Sequence, residues 1–202
     1  GDGSKEKPYL ISNDLELARL AHEVNNGAAQ QMFSQKYFKL TKDIDLSKGL
    51  WTPIGTAQGI AKASDGHFFA GKFDGDGHSV SNMLISWTFS DLKEASWGLF
   101  SRLNGKGNNE NEYASVSNLI IDNARIEKKA AHTPLNNANY TVKMGIVVAD
   151  MTQNAELSNI IIRNSKISDN NESYTTKTKF RIGGIAGYLN NFVSLRIFNI
   201  SA

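Results

Sequence analysis

The sequence predicts an all-β fold, a solenoid of short strands with one α-helix near its start. Three observations carry that prediction. The 202 residues include 21 Asn and 17 Gly but 3 Pro, and Asn and Gly between short apolar runs mark frequent turns. One segment alone has a clear helical stripe, so a doubly wound α/β fold, which needs helices alternating with strands, is not expected. Two short elements recur in the same order along the chain, which is how a repeat architecture shows itself.

From the N-terminus, Pro8-Tyr9-Leu10-Ile11-Ser12 reads as a short strand. Leu17, Leu20, Ala21 and Val24 fall at i, i+3, i+4 and i+7 and predict a half-buried helix over Asn13–Asn26. Asn13 is a good N-cap with Glu16 three residues on, and Gly27 sits where the helix should stop. Next come Tyr37-Phe38-Lys39-Leu40-Thr41 and Asp43-Ile44-Asp45-Leu46, with apolar residues 38, 40, 44 and 46 on one parity.

The repeat then begins. A Gly followed by an apolar pair occurs at Gly98-Leu99-Phe100, Gly145-Ile146-Val147 and Gly184-Ile185-Ala186, with glycines 47 and 39 residues apart. A second element reads Val80-Ser81-Asn82, Val116-Ser117-Asn118, Leu157-Ser158-Asn159 and, degenerately, Phe198-Asn199, with Asn spacings of 36, 41 and 40. Units this short cannot bury an apolar face alone, but stacked neighbours can. Stacking predicts apolar ladders (Leu99, Ile146, Ile185; Met83, Leu119, Ile160), aligned glycines at 98, 145 and 184, and an Asn ladder through 82, 118, 159 and 199. Segments 104–113 and 128–140 are the expected loops.

Composition limits the function classes. With 22 Lys+Arg against 20 Asp+Glu, the charge gives no nucleic-acid footprint and no membrane-binding basic run. Without cysteine there is no disulfide framework, thiolate zinc site or cysteine nucleophile. No apolar run is long enough for a transmembrane helix, so membrane insertion by this segment is not expected. The opening Gly1-Asp2-Gly3-Ser4 and the apolar ending Ile200-Ser201-Ala202 lead us to expect a part of a longer protein. We treat 1–202 as one domain, with 1–50 as cap and first strands and 51–202 as repeats.

The runs at 8–12 and 37–46, then Trp51-Thr52-Pro53-Ile54-Gly55 and Phe69-Ala70-Gly71-Lys72-Phe73-Asp74-Gly75-Asp76-Gly77-His78, resemble bacterial surface proteins with GLUG-type repeats. Such proteins are adhesin-like or accompany IgA-protease-type metallopeptidases, notably in gut Bacteroidetes. The Gly-apolar elements are similar to the repeat proper, although Val148-Ala149 stands where a Gly is usual. The resemblance implies a right-handed parallel β-helix, export to the exterior of the bacterial outer membrane or beyond, and a role in display or attachment; we expect a single-stranded β-helix whose N-terminal end is capped by the helix over Asn13–Asn26, because natural solenoids cover exposed strand edges. It implies no reaction.

Candidate chemistry is sparse. Asp74-Gly75-Asp76-Gly77-His78 alternates carboxylates with Gly, so Asp74 and Asp76 are candidate Ca²⁺ ligands; but Ile85 stands where an EF-hand has Glu, and Asp-Gly is also a tight-turn signal, which we prefer. Asp43 and Asp45 share a strand face and read as a turn or solvated pair before an acid/base pair. His22, His67, His78 and His132 lack metal-ligand spacing, and no Gly-x-Ser-x-Gly elbow exists. Met83, Ile85, Trp87 and Phe89 share a parity that favours packing, leaving Trp51, in a loop, as the candidate sugar-stacking ring. The sequons at Asn139 and Asn171 mark surface loops.

We therefore expect no catalytic residue and no cofactor, and read the chain as a non-enzymatic, adhesin-like module. The expected partners are a carbohydrate or a host or bacterial surface protein, with self-association through an uncovered C-terminal strand edge around Leu195–Ile200. The alternative is a polysaccharide lyase or glycoside hydrolase, which requires three or more ionisable side chains converging in a long cleft.

Overall fold

The computed structural model describes residues 1–26, 33–55, 67–87, 94–105, 112–128, 140–152, 154–168, 178–190 and 195–201. Gly27, Phe89, His132 and both sequon asparagines lie outside the described residues, as do the side chains of Trp87, Phe198 and Asn199.

The helix α1 (Asp14–Asn25) forms as its sequence requires. Asn13 is extended at φ −157° and its side chain accepts the Glu16 N–H, while Glu16 reaches back to the Ser12 N–H. That is a reciprocal cap displaced by one residue. Leu17, Leu20, Ala21 and Val24 are all buried, and they join a core that includes Ile11, Leu40, Ile44, Trp51 and Ile54. Asn25 ties the last turn of the helix to the chain at Pro53 and Gly55, donating to the Pro53 carbonyl (3.0 Å) and accepting the Gly55 N–H (2.7 Å).

The other elements named among the described residues are strands, and every strand pairing there is parallel. One large sheet runs β1 (Tyr9–Ile11), β2 (Tyr37–Leu40), β4 (Lys72–Asp74), β9 (Ala114–Asp122), β13 (Ala155–Arg163), β17 (Leu195–Ser201), with β3 (Ile44–Asp45) and β5 (Ser79–Ser81) beside it. Three smaller sheets take one strand from each successive repeat. They are β6 (Leu84–Trp87), β10 (Arg125–Lys128), β14 (Lys166–Ser168); β7 (Glu94–Trp97), β11 (Tyr140–Gly145), β15 (Thr178–Gly183); and β8 (Phe100–Asn104), β12 (Val148–Thr152), β16 (Ala186–Asn190). Among the described residues the structure is thus all-β with one helix. Its apolar residues fill one continuous core, in which Phe38, Phe69, Phe73 and Phe100 stack ring to ring at 5.2–5.6 Å. The predicted parity holds at Phe38, Leu40, Ile44 and Leu46, all buried.

The repeat register differs from the expected one in two places. Asn118 and Asn159 do lie opposite each other, between the Ser117–Ser158 and Leu119–Ile160 pairs. Asn82 does not join them: Val80 pairs with Ile121 and Ser81 with Asp122, so Asn82 is level with Asn123 and Met83 with Ala124. The β9 and β13 layers of the large sheet each hold two left-handed asparagines, at 118 and 123 and again at 159 and 164, all with φ between 49° and 52°. The two look alike in sequence, which is why the first copy is misassigned. Likewise Gly145 pairs with Gly183, not Gly184. Two residues separate Gly145 from Val148, whereas one separates Gly98 from Phe100, although Val148 pairs with Phe100. An extra residue is therefore accommodated at this corner, where the sequence departs from the repeat.

Candidate functional site

The asparagine ladders are the first polar constellation. In one, Asn159 Nδ2 donates to Asn118 Oδ1 (2.9 Å) and Asn118 Nδ2 to Asp74 Oδ1 (2.9 Å). In the other, Asn123 Nδ2 donates to Asn82 Oδ1 (2.7 Å), and Asn82 Nδ2 to Asp45 Oδ1 (2.9 Å). Asn164 donates to Asp122 Oδ1 (2.9 Å). Every amide points its N–H toward the N-terminal end. The foot of each ladder consequently needs a group that only accepts, and an ionised aspartate meets that need. Among these residues Asp45 is the clearest case: the Asn82 amide, then the Ser47 N–H, hold its carboxyl below the ordinary carboxylate range.

This geometry locates the sequence candidates. Asp74 and Asp76 lie in a turn closed by His78 N–H donating to the Gly75 carbonyl (2.8 Å), with φ of 51° at Asp76 and 80° at Gly77. Two central residues with positive φ give the type I′ pattern, which Asp-Gly favours. It is not a hairpin, however, because β4 and β5 both continue alongside β9 in the same direction. Asp74 Oδ1 also accepts the Asp76 N–H, and Asp76 pairs with Lys39 at 3.0 Å. Among the described residues no group of three His, Cys, Asp or Glu side chains is placed to hold a metal ion. Asp43 and Asp45 are exposed. Asp43 accepts the Ser79 N–H (2.8 Å), which holds its carboxyl low, and His78 lies 3.4 Å away.

Trp51 does not present a stacking ring. It is 7% exposed and its indole N–H donates to the Leu99 carbonyl at 3.1 Å. The loop that holds it is drawn into the core by Ile54, which is fully buried. The apolar neighbour Ile54 was the available signal for that burial.

Among the described residues, the densest ionisable cluster is one the sequence does not predict. Asp150, 1% exposed, accepts through Oδ2 from Lys143 Nζ (2.8 Å) and from Arg102 Nε (3.2 Å) and Nη2 (3.1 Å). The parallel register places Arg102, Asp150 and Tyr188 in one row and Lys143 and Arg181 in the next. Tyr188 closes the cluster, with Lys143 Nζ 4.9 Å and the Arg181 guanidinium 3.6 Å from its ring centroid. The charges are buried among strands, not arrayed along a cleft. Their signal in the sequence was a lone charge inside each apolar run flanking Gly145.

The outward face of the large sheet is mostly polar, with Leu10 exposed at its β1 edge and Ser158 buried. In register across it run Tyr37, Lys72, Ser115 and Glu156, and beside them Lys39, Asp74, Ser117 and Ser158. Lys72 donates to the Tyr113 carbonyl at 2.9 Å, and burial pushes its ammonium below the ordinary lysine range, opposed by Glu156.

Among the described residues no helix is long and apolar enough to cross a membrane. No protein-family model matches the chain, so the GLUG-type pattern stays a resemblance. Over 115 residues the chain is 35% identical to Halomucin of Haloquadratum walsbyi; the match spans 55% of this chain and 1% of Halomucin. It also aligns, over 99% of its length, with 76% of a candidate immunoglobulin A1 protease from Bacteroides ovatus whose crystal structure is known, at a TM-score of 0.40 and 14% identity. Similarity at that level does not define a common fold.

Proposed function

We propose that the chain is a non-enzymatic, adhesin-like module of an extracellular surface protein, built as a right-handed single-stranded parallel β-helix with α1 as its N-terminal cap. The observation that carries this reading is the register itself: successive repeats pair strand for strand, all parallel, in four sheets around one core. Such stacking makes a rigid rod with broad sides, which suits display and attachment. The match to Halomucin, a mucin by name, supports an extracellular setting. Secretion or display at a bacterial cell surface follows from the same reading.

The contact surface is the outward face of the large sheet. Its rows of Ser115, Ser117, Lys39, Lys72 and Glu156 offer hydroxyl, cationic and anionic groups at fixed spacing. A glycan chain or a polar protein surface is the matching partner. A glycan array followed by product analysis tests this. Binding that Ser115→Arg weakens at least tenfold, with every bound glycan recovered intact, is expected. Release of shortened or unsaturated sugars would replace this reading with the polysaccharide-active one.

A further inference from the structure

On the flank of the stack, segment 47–49 swings away from its neighbours and builds a wall. Before it, the Leu46 N–H donates to the Ser81 carbonyl (2.9 Å); after it, the Trp51 N–H donates to the Leu84 carbonyl (2.8 Å). Two anchors hold the excursion. Asp45 accepts the Ser47 N–H (2.9 Å) and hydroxyl (3.0 Å), and Lys48 pairs with Asp14 of α1 at 2.9 Å. Beneath the wall, β6 and β10 run in register. Met83, Ile85, Ala124 and Ile126 are buried, so Leu84, Arg125 and Glu127 face outward. Wall and flank enclose a hollow of about 410 Å³, within the usual range of small-ligand sites. The sheet continues past it through β14, so the hollow belongs to the side of the stack.

Three polar groups in this hollow lack partners. The exposed Arg125 guanidinium makes no ion pair or side-chain hydrogen bond among the described residues, and neither does the Glu127 carboxylate. The third group is an amide oxygen. Asn123 donates to Asn82 (2.7 Å), but Asn164, level with Asn123 in the next layer, donates to Asp122 instead (2.9 Å). That turn of the Asn164 amide leaves Asn123 Oδ1 an acceptor without a donor among the described residues. Beside these groups Leu50 is 61% exposed and bridges to half-buried Leu84, which makes one wall apolar.

These groups specify a ligand. Arginine holds a carboxylate by two parallel N–H···O bonds. A carboxylate and an amide oxygen accept only, so they call for donors. Arg125 and Glu127 alternate along one strand face, about 6.6 Å apart. One sugar ring with a carboxylate at one end and hydroxyls at the other spans that distance, and its C–H face suits the apolar wall. We propose that the hollow binds a carboxylated sugar, a hexuronate unit of an acidic polysaccharide. Its carboxylate sits on Arg125 and its hydroxyls donate to Glu127 and to Asn123 Oδ1. An acidic peptide also satisfies Arg125, but it sets a further carboxylate, not a hydroxyl, against Glu127. The site lies on a different sheet from the outward face of the large sheet and does not rest on what that face binds.

Nuclear magnetic resonance titration of the ¹⁵N-labelled chain tests the proposal. The probes are tetragalacturonate, neutral maltotetraose and end-blocked tetraglutamate, which matches the charge of the first, all at one ionic strength. Tetragalacturonate should give saturable shifts centred on residues 47–50, 82–86 and 123–127, and should bind at least tenfold more tightly than either other probe. Arg125→Gln should weaken it at least tenfold. Glu127→Ala should weaken it about threefold, although removing an acid strengthens any purely electrostatic capture of a polyanion. Arg19→Gln, which removes an exposed cation on α1, should change it less than twofold. The amide spectrum of each variant reports whether its fold is kept. Equal binding of tetraglutamate would assign the hollow to acidic peptides or bare charge, and equal binding of maltotetraose would mean that no carboxylate is read. Either result overturns the proposal. So do tighter binding by Glu127→Ala, shifts centred on Ser115 and Ser117, and the absence of saturable binding at millimolar ligand.

Discussion

Asn159 donates its side-chain amide to the side-chain oxygen of Asn118, one layer nearer the N-terminus, at 2.9 Å. Both residues are left-handed, with φ of 51° and 52°. The conformation and the hydrogen bond select the same residue type: asparagine tolerates positive φ better than other non-glycine residues, and its amide both donates and accepts. Asn118→Ala therefore loses two side-chain bonds and strains the backbone, and should cost about 2–3 kcal/mol. Asn118→Gly keeps the backbone comfortable and should cost about 1 kcal/mol less. Urea unfolding of the two variants measures the difference; equal losses would remove the conformational half of the explanation.

Gly145 and Gly184 separate a steric requirement from a merely repeated residue. A Cβ on Gly145 would stand 2.2 Å from the Val148 carbonyl oxygen, while one on Gly184 would meet nothing within 4 Å. Gly145→Ala should cost about 3 kcal/mol, and Gly184→Ala should stay within about 0.5 kcal/mol of wild type. Thermal melts of both variants decide it.

The buried cluster predicts an order of effects. Asp150→Ala leaves Lys143 and Arg102 together without their shared acid, and should cost about 3–5 kcal/mol. Lys143→Met leaves Asp150 still paired with Arg102, so its loss should be clearly smaller. Denaturant midpoints that ranked the two the other way would show that Arg102 does not balance Asp150.

Acid should loosen the ladders from their feet. The folded pKa of Asp45 is depressed from the ordinary 3.8, chiefly by the Asn82 amide, and that of Asp43 by the Ser79 N–H. A depressed carboxylate pKa adds stability that is present above the unfolded value and is lost as pH falls through the folded value. The melting temperature should hold from neutral pH to about pH 5 and decline below about pH 4. Both carboxylates are solvent-exposed, so each contribution is small. Asp45→Asn cannot take up the proton and should make the decline shallower. A decline of unchanged slope in Asp45→Asn would assign the acid sensitivity to other carboxylates.

What the sequence made legible was whatever a local period encodes. Leu17, Leu20, Ala21 and Val24 announce their buried face, as do Phe38, Leu40, Ile44 and Leu46. The existence of the repeat was also legible, because glycine at the corners and asparagine at positive φ answer local backbone demands. Register was less so. Val80-Ser81-Asn82 resembles Val116-Ser117-Asn118 but stacks on Ile121-Asp122-Asn123, because β4 and β5 are separated by the four-residue turn 75–78 where β9 spends only Asn118 and Leu119. Nothing local distinguishes the two asparagines of a layer. The Arg102–Lys143–Asp150 cluster joins three strands across two sheets, so its partners became identifiable only with the stacking.

The absence of cysteine allows the stacking to be measured cleanly. Parallel neighbours lie about 4.8 Å apart, within the Cα range a disulfide spans. Ser81 pairs with Asp122, so the variant carrying Ser81→Cys and Asp122→Cys should oxidise quickly to an intramolecular disulfide with the fold retained. The variant carrying Ser81→Cys and Ser117→Cys should remain as free thiols under the same conditions. Cross-linking of the second pair and not the first would contradict the two-ladder register, and with it the layered parallel architecture on which the account depends.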